Sequence, residues 1–200
     1  MTKLFIVFII FRMIGAARLE TFVNPLMPSE IRFEPRHRDS HTAMSIGQEV
    51  LAAVQTMPDF RPGTPVIVRN DSGQNGAEFP VFEQVPTGLA NLVLSNDEEL
   101  RLMAASLGIS VVRTFAKVLV YDSHDDEPLG MHSDPAESIT IADALLGTAW
   151  FRTPRRLGHM SQPGSRFVAH TGLGRALARH RILAPSNNRL VAVTRLHYQS

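Results

Sequence analysis

The side chains best suited to chemistry stand in the second half of the chain, where His132-Ser133-Asp134 follows Gly130-Met131. In an extended segment residues i and i+2 project to one side, so this imidazole and carboxylate can reach the same ion. A further histidine would complete the 2-His-1-carboxylate set, which holds Fe(II) on one face and leaves coordination positions open. His180 and His170 are the candidates. Arg189 lies nine residues beyond His180 and nineteen beyond His170, and spacing alone leaves both histidines open. A turn bearing a surface His and Asp is the other reading of H-x-D. Arg189 and Arg195 are six apart, an even number, so both guanidinium groups leave one face of a strand. Two arginines inside a barrel need an anion, and a dicarboxylate would supply it through bidentate, charge-assisted contacts. On an edge strand the same pair would simply be exposed.

Composition narrows the remaining chemistry. The 200 residues contain no cysteine, which excludes disulfides, thiolate zinc sites, iron–sulfur clusters and a cysteine nucleophile. There is no G-x-x-x-x-G-K-[ST], no G-x-S-x-G and no H-E-x-x-H, and Gly172-Leu173-Gly174 lacks the third glycine of a dinucleotide fingerprint. Asp122-Ser123-His124-Asp125-Asp126-Glu127 has glutamate where a calcium loop needs glycine, so it reads as a solvated turn. The net charge of +1 hides an asymmetry. Residues 1–100 carry 8 Lys+Arg against 12 Asp+Glu, and residues 101–200 carry 12 against 7. From Ala144 to Ser200 there are nine arginines and no acidic residue, a distribution suited to an anionic partner or to a basic face balanced by the first half.

These residues need elements to position them. Ile46, Val50, Leu51 and Val54 recur at helical spacing over Ser45 to Met57, and Pro58 stops that helix. A second helix is expected to start at the Ser95-Asn96-Asp97-Glu98-Glu99 cap and to end at Gly108. Runs suited to strands are Pro65–Arg69, Phe79–Val85, Ser110–Tyr121, Ser138–Ile141, Thr148–Arg152, Arg166–His170 and Arg189–His197. Helices in the first half followed by antiparallel-looking strands make an α+β fold: a two-sheet jelly roll, or double-stranded β-helix, buttressed by helices on one side. Residues 1–40 read as an N-terminal extension, of which 23–40 is a Pro-, Arg- and Asp-rich irregular lead-in. Its Leu4–Phe11 run is too short to span a bilayer, and Arg12 spoils it as a signal peptide. A cytoplasmic monomer is expected, with secretion the alternative.

The ordered set from Ser110 to Tyr198 resembles the Fe(II)/2-oxoglutarate dioxygenases, and among them the AlkB-like nucleic-acid dealkylases. The set comprises a strand ending in Tyr121, Leu129-Gly130-Met131-His132-Ser133-Asp134-Pro135, Ser138-Ile139-Thr140-Ile141, Gly147-Thr148-Ala149-Trp150-Phe151, Pro163-Gly164-Ser165, His180-Arg181 and the pair Arg189 and Arg195. The resemblance implies a dioxygenase domain over 41–200, with Fe(II) held by His132, Asp134 and His180. It implies that Arg189 binds the distal carboxylate of 2-oxoglutarate, Arg195 stands near the cosubstrate, and Tyr121 hydrogen-bonds it. Leu119 departs from the asparagine that many members carry two residues before the tyrosine. The implied activity is oxidative demethylation of alkylated RNA or single-stranded DNA, with O2 as co-reactant. For that partner Arg152, Arg155 and Arg156 are the phosphate contacts, and Trp150 is a base-stacking surface or a core residue. Hydroxylation of a peptide side chain or small metabolite is the alternative, favoured if the basic stretch faces away from the metal. A non-catalytic barrel that binds a carboxylate or sugar is the third reading. His124, His159 and His197 are read as surface or supporting residues.

Overall fold

The two longest strands, Ser110–Tyr121 and Arg189–Gln199, pair antiparallel along their whole length and form the middle of the larger sheet. The computed structural model describes residues 18–22, 29–70, 79–121, 129–153, 156–172, 179–183 and 188–199. In chain order the elements are β1 (Arg18–Phe22), β2 (Ser29–Glu34), α1 (Ser40–Gln55), β3 (Val66–Asn70), α2 (Thr87–Leu107), β4 (Ser110–Tyr121), β5 (Leu129–His132), β6 (Ser138–Leu146), β7 (Ala149–Thr153), β8 (Arg156–Ser161), β9 (Arg166–Thr171), β10 (His180–Leu183) and β11 (Arg189–Gln199). A seven-stranded sheet, β1-β2-β9-β6-β11-β4-β3, and a four-stranded sheet, β5-β10-β7-β8, together form the jelly roll. The fold is α+β, as the pattern of elements implies.

Alternation gives the larger sheet two working faces. Val118 and Val120 of β4 and Leu190 and Ala192 of β11 pack against Val50 and Val54 of α1 and Leu89, Leu92 and Val93 of α2. Fully burying side chains of this size contributes about 1.5–3 kcal/mol each. The residues between them, Leu119 and Tyr121 on β4 and Val191 and Val193 on β11, turn to the opposite face and line a cavity between the sheets.

Both helices start earlier than the spacing suggests. Asp39 caps α1 by accepting a 2.8 Å hydrogen bond from Thr42 N. α2 begins at Thr87 instead of Ser95, and Gly108 ends it in the left-handed conformation at φ +68°. The cap-like Asn96 and Asp97 are instead buried in the middle of α2. Their polarity answers to tertiary partners: Asn96 Nδ2 donates to Asp143 Oδ2 at 2.7 Å, and Arg69 Nη1 stands 3.6 Å from Asp97 Oδ2, which also accepts from Arg101 one turn on in the same helix.

Two segments differ more sharply from expectation. The polar lead-in contains β2, which pairs with β9 over Glu30–Glu34 and puts Ile31 and Phe33 into the core. Arg38 N then donates to Gly164 O at 3.0 Å, and Gly164 (φ +88°) permits this approach because a Cβ there would stand 2.4 Å from the Arg38 oxygen. Phe79–Val85 forms no strand. Val81 alone bridges Ile67, while Phe79 and Val81 stay exposed. Among the described residues no helix is long and apolar enough to cross a membrane, and the Leu4–Phe11 run lies outside them.

Helix α2 is tied to the sheet by charge as well as by apolar packing. Arg166, 1% exposed, donates from Nε to Asp143 Oδ1 (2.9 Å), from Nη1 to Glu99 Oε2 (2.6 Å) and from Nη2 to Asn96 Oδ1 (2.7 Å). Removing one partner of such a buried pair leaves an uncompensated charge, which costs about 3–5 kcal/mol. Asp143→Leu is therefore expected to destabilise the fold by that amount in chemical denaturation. The double variant Asp143→Leu/Arg166→Met should recover most of the loss, and a double variant as unstable as the single one would show that shape, not charge, governs the site.

Candidate metal and dicarboxylate site

Strands β5 and β10 pair antiparallel with His132 directly opposite His180, and the two rings lie 4.4 Å apart between centroids. Asp134 follows two residues after His132, just past the end of β5. One ligand atom from each of the three lies within 4.8 Å of the others. The His132 ring is oriented by its backbone: Nδ1 is 2.8 Å from Gly130 O, and since a carbonyl only accepts, Nδ1 carries the proton and Nε2 is left with its lone pair. The His180 ring packs against the touching pair Phe151 and Phe167, at centroid distances of 5.3 and 4.9 Å. Asp134 is buried, with Oδ1 accepting from Arg195 Nη2 and Oδ2 making no hydrogen bond with any described residue. An orphaned carboxylate oxygen beside two imidazoles is a donor set that fits Fe(II).

The second feature is a buried cation. Arg189, 3% exposed, opens β11 opposite Tyr121, and its guanidinium carbon lies 5.2 Å from the centre of that ring. Its Nη2 donates to Ser161 Oγ at 3.3 Å, while Nε and Nη1 make no hydrogen bond with any described residue. Burial pulls the pKa of Arg189 down, opposed by nearby Tyr121. The Tyr121 phenol is pushed up by the same burial, opposed by Arg189. An unpaired buried charge is costly, so this end of the cavity is built for an anion.

The cavity, about 260 Å³, runs from Arg189, Tyr121 and Ser161 past the His132–Asp134–His180 cluster to Lys117 and Arg195. Arg195 leaves the same face as Arg189 but has partners, donating from Nε to Thr140 Oγ1 (2.9 Å) and from Nη2 to Asp134. Lys117 is half-buried, and desolvation lowers its pKa, with Arg195 adding to the shift and Asp134 opposing it. Leu119 contributes apolar wall where an asparagine would have offered a hydrogen bond. Lys117, Ser161, Phe33 and Phe167 escaped the reading of the sequence, and Phe151, which belongs to the ordered set, completes their aromatic wall. Lys117 was legible in principle, because it shares the odd-numbered face of Tyr121.

Other expected site residues lie elsewhere. His170 does not join the cluster: it leaves the other face of β9, where Nε2 is 2.8 Å from the Tyr198 hydroxyl. Trp150 is 51% exposed and Arg152 half-buried, alternating with Ala149, Phe151 and Thr153, which are buried. Phe151 faces the cavity, so Trp150 and Arg152 point away from it. Arg181, beside Arg152 on β10, does likewise, since His180 and Ile182 face inward. Arg156 opens β8, and Arg155 and His124 lie outside the described residues. His159 stacks on Phe33 at 4.8 Å. His197 is half-buried, and its pKa is pushed down to about 4 by burial and then by Arg113 and Arg195.

No protein-family model matches the chain, and a search of curated proteins finds no match. Solved structures match in fold. A Pseudomonas putida prolyl-4-hydroxylase superposes with a TM-score of 0.53 and 12% identity, covering 84% of this chain and 92% of that one. JOX2 in complex with 2OG, Fe and JA gives 0.53 with 11% identity, over 98% and 72% of the two chains. A prolyl hydroxylase in complex with a hypoxia inducible factor oxygen degradation domain peptide fragment, from Trichoplax adhaerens, gives 0.51 with 14% identity, over 84% and 83%. Identities this low establish the shared fold.

Two expectations follow from the buried cations and histidine. Arg189→Met is expected to leave stability unchanged or raise it when no dicarboxylate is present, because it removes an unpaired buried charge. If the anion is 2-oxoglutarate, the variant should also lack the rise in Tm expected of the wild type, about 2.7 kcal/mol of stabilisation at a hundredfold excess over Kd. A loss of stability without ligand would show that Arg189 is satisfied within the protein. The second concerns His170, whose pKa burial pushes down to about 4 from an ordinary 6.5. Between those values the unfolded chain takes up a proton that the folded one rejects. The stability from His170 is therefore complete above pH 6.5 and falls as the pH drops toward 4, by up to about 3 kcal/mol. Denaturation at a series of pH values should show a shallower acid loss in His170→Gln, and an identical slope would assign that loss to other groups.

Proposed function

We propose that the chain is an Fe(II)/2-oxoglutarate-dependent dioxygenase. The observation that carries this reading is that one cavity holds both a buried arginine with two unpartnered nitrogens and a His-Asp-His cluster with an unpartnered carboxylate oxygen. The fold shared with JOX2 in complex with 2OG, Fe and JA supports it. His132 Nε2, a nitrogen of His180 and Asp134 Oδ2 would hold the metal, and Arg189, with Tyr121 and Ser161 beside it, would hold the distal carboxylate of 2-oxoglutarate. When bound, iron and 2-oxoglutarate together supply the reaction of O2 that yields succinate, CO2 and a hydroxylated substrate C–H position.

The protein's own residues set the conditions for that reaction. Gly130 O fixes the His132 tautomer, Phe151 and Phe167 hold the plane of His180, and Arg195 restrains the Asp134 carboxylate so that one oxygen faces the cluster. Phe33, Ile182 and Val191 add the apolar wall that keeps bulk water from the reacting centre.

On substrate, hydroxylation of a peptide side chain or small metabolite is favoured over demethylation of alkylated RNA or single-stranded DNA. Trp150 and Arg152, on which the nucleic-acid reading leaned, project from the face opposite the cavity. Prolyl hydroxylases among the structures of like fold fit the same preference.

Anaerobic titration of the wild type with Fe(II) and then 2-oxoglutarate should develop the visible charge-transfer band of the chelate. His132→Ala, Asp134→Ala and His180→Ala should each lose the band while keeping the far-UV spectrum of the fold. A wild type that forms no band with both components present would refute the dioxygenase reading.

A further inference from the structure

The cavity face of β4 and β11 is a ladder of cross-strand rows: Tyr121 opposite Arg189, Leu119 opposite Val191, Lys117 opposite Val193, Phe115 opposite Arg195, and Arg113 opposite His197. Reading along it from Arg189, the rows pass from a buried cation through apolar wall to a second group of cations. The strands of the larger sheet around this group, β3, β4, β6 and β11, contribute no carboxylate to this face, because Asp143 points to the helices. Asp134, reaching in from the end of β5, is already engaged by Arg195. Lys117 lines the cavity, is half-buried, and makes no hydrogen bond or ion pair with any described residue.

Lys117 is not placed to share the cosubstrate with Arg189. Its row lies four residues along β4 from the Tyr121–Arg189 row, about 13 Å at roughly 3.3 Å per residue. The two carboxylates of 2-oxoglutarate are about half that far apart, at ~1.5 Å per carbon–carbon bond. The charged neighbours of the Lys117 ammonium are Arg195 and Asp134, so it lies toward the metal cluster and the far end. Beyond it, exposed Arg113 continues the positive face to solvent, opposite half-buried His197, whose lowered pKa leaves it uncharged near neutral pH. The cavity, at about 260 Å³, falls just below the range of about 300–1,000 Å³ usual for pockets that enclose drug-sized ligands, so with cosubstrate aboard it suits a small substrate.

We infer that the substrate of the reaction proposed above, a reading on which this inference rests, is a small carboxylic acid whose carboxylate docks on Lys117 at the end of the cavity away from Arg189. Lys117 is thereby the residue that selects the substrate, and Arg113 attracts it from solution.

Calorimetric titration of the full-length chain with 2-oxoglutarate, phenylacetate and the neutral analogue phenylacetamide tests this. Phenylacetate should bind in the millimolar range or better, and phenylacetamide far more weakly. Lys117→Met should weaken phenylacetate by at least about tenfold, the loss expected for a hydrogen bond to a charged group, and leave 2-oxoglutarate affinity as it was. Lys117→Arg, which keeps the charge, should retain phenylacetate, and Arg189→Met should lose 2-oxoglutarate instead. Phenylacetate binding that ignores Lys117→Met, or fails in the wild type, overturns the inference. So does a loss of 2-oxoglutarate in Lys117→Met, which would make Lys117 the cosubstrate anchor. Failure of 2-oxoglutarate to bind or to form the iron chromophore sinks the dioxygenase reading separately, and Lys117-dependent phenylacetate binding would still stand as an anion site.

Discussion

Strict alternation along β4 and β11 is the constraint on which the remaining structure depends. The even-numbered residues Val118, Val120, Leu190 and Ala192 bury against the helices, and the odd-numbered Lys117, Tyr121, Arg189 and Arg195 build the cavity. A one-residue slip of either strand would exchange the two sets, burying charge among leucines and opening the apolar core to solvent. Register and function are therefore specified together. The hydrophobic pressure of α1 and α2 on one face holds the arginines in place on the other.

Two buried arginines show how one residue type serves opposite ends. Arg166 meets Asp143, Glu99 and Asn96, so its charge is compensated within the fold and it acts as a strut between α2, β6 and β9. Arg189 is as deeply buried, yet two of its nitrogens hydrogen-bond to no described residue. The penalty of burying an ion is similar in both cases, and only the first is offset by the protein itself. The proposed function supplies that offset for Arg189 as an anion from outside, a difference that sequence alone, which shows two arginines, does not reveal.

How much of this was legible depended on whether local pattern and tertiary demand agreed. They agreed on β4, whose bounds follow from its β-branched run, and on the convergence of His132, Asp134 and His180. They disagreed at Ser95-Asn96-Asp97, which has the chemistry of a helix cap but lies inside α2, because Asn96 answers to Asp143 and Arg166. They disagreed again at Ser29–Glu34, a polar segment recruited as a strand because the exposed edge of β9 needed a partner and Ile31 and Phe33 could fill the core beneath it. The orientation of Trp150 and Arg152 was not legible for a simpler reason. A five-residue strand carries its inner and outer residues in adjacent positions, and composition does not say which set faces the cavity.

The smaller sheet shows why so few residues suffice for the site. His132 and His180 are cross-strand neighbours, so their separation is set by the hydrogen-bonded ladder and not by flexible side chains. Gly130 O and the Phe151–Phe167 pair then restrict the ring orientations, leaving little conformational freedom to be lost when an ion binds. The third group, Asp134, lies past the strand end and would otherwise be mobile, but Arg195 reaches across from the larger sheet to hold one oxygen. Arg195 thus links the two sheets at the cluster, and any substrate group that approached it would compete with Asp134. Lys117, one row inward, bears no such obligation. The division of labour between two neighbouring cations, one committed to the carboxylate of the protein and one uncommitted, is what makes the far end of the cavity selective as well as positive.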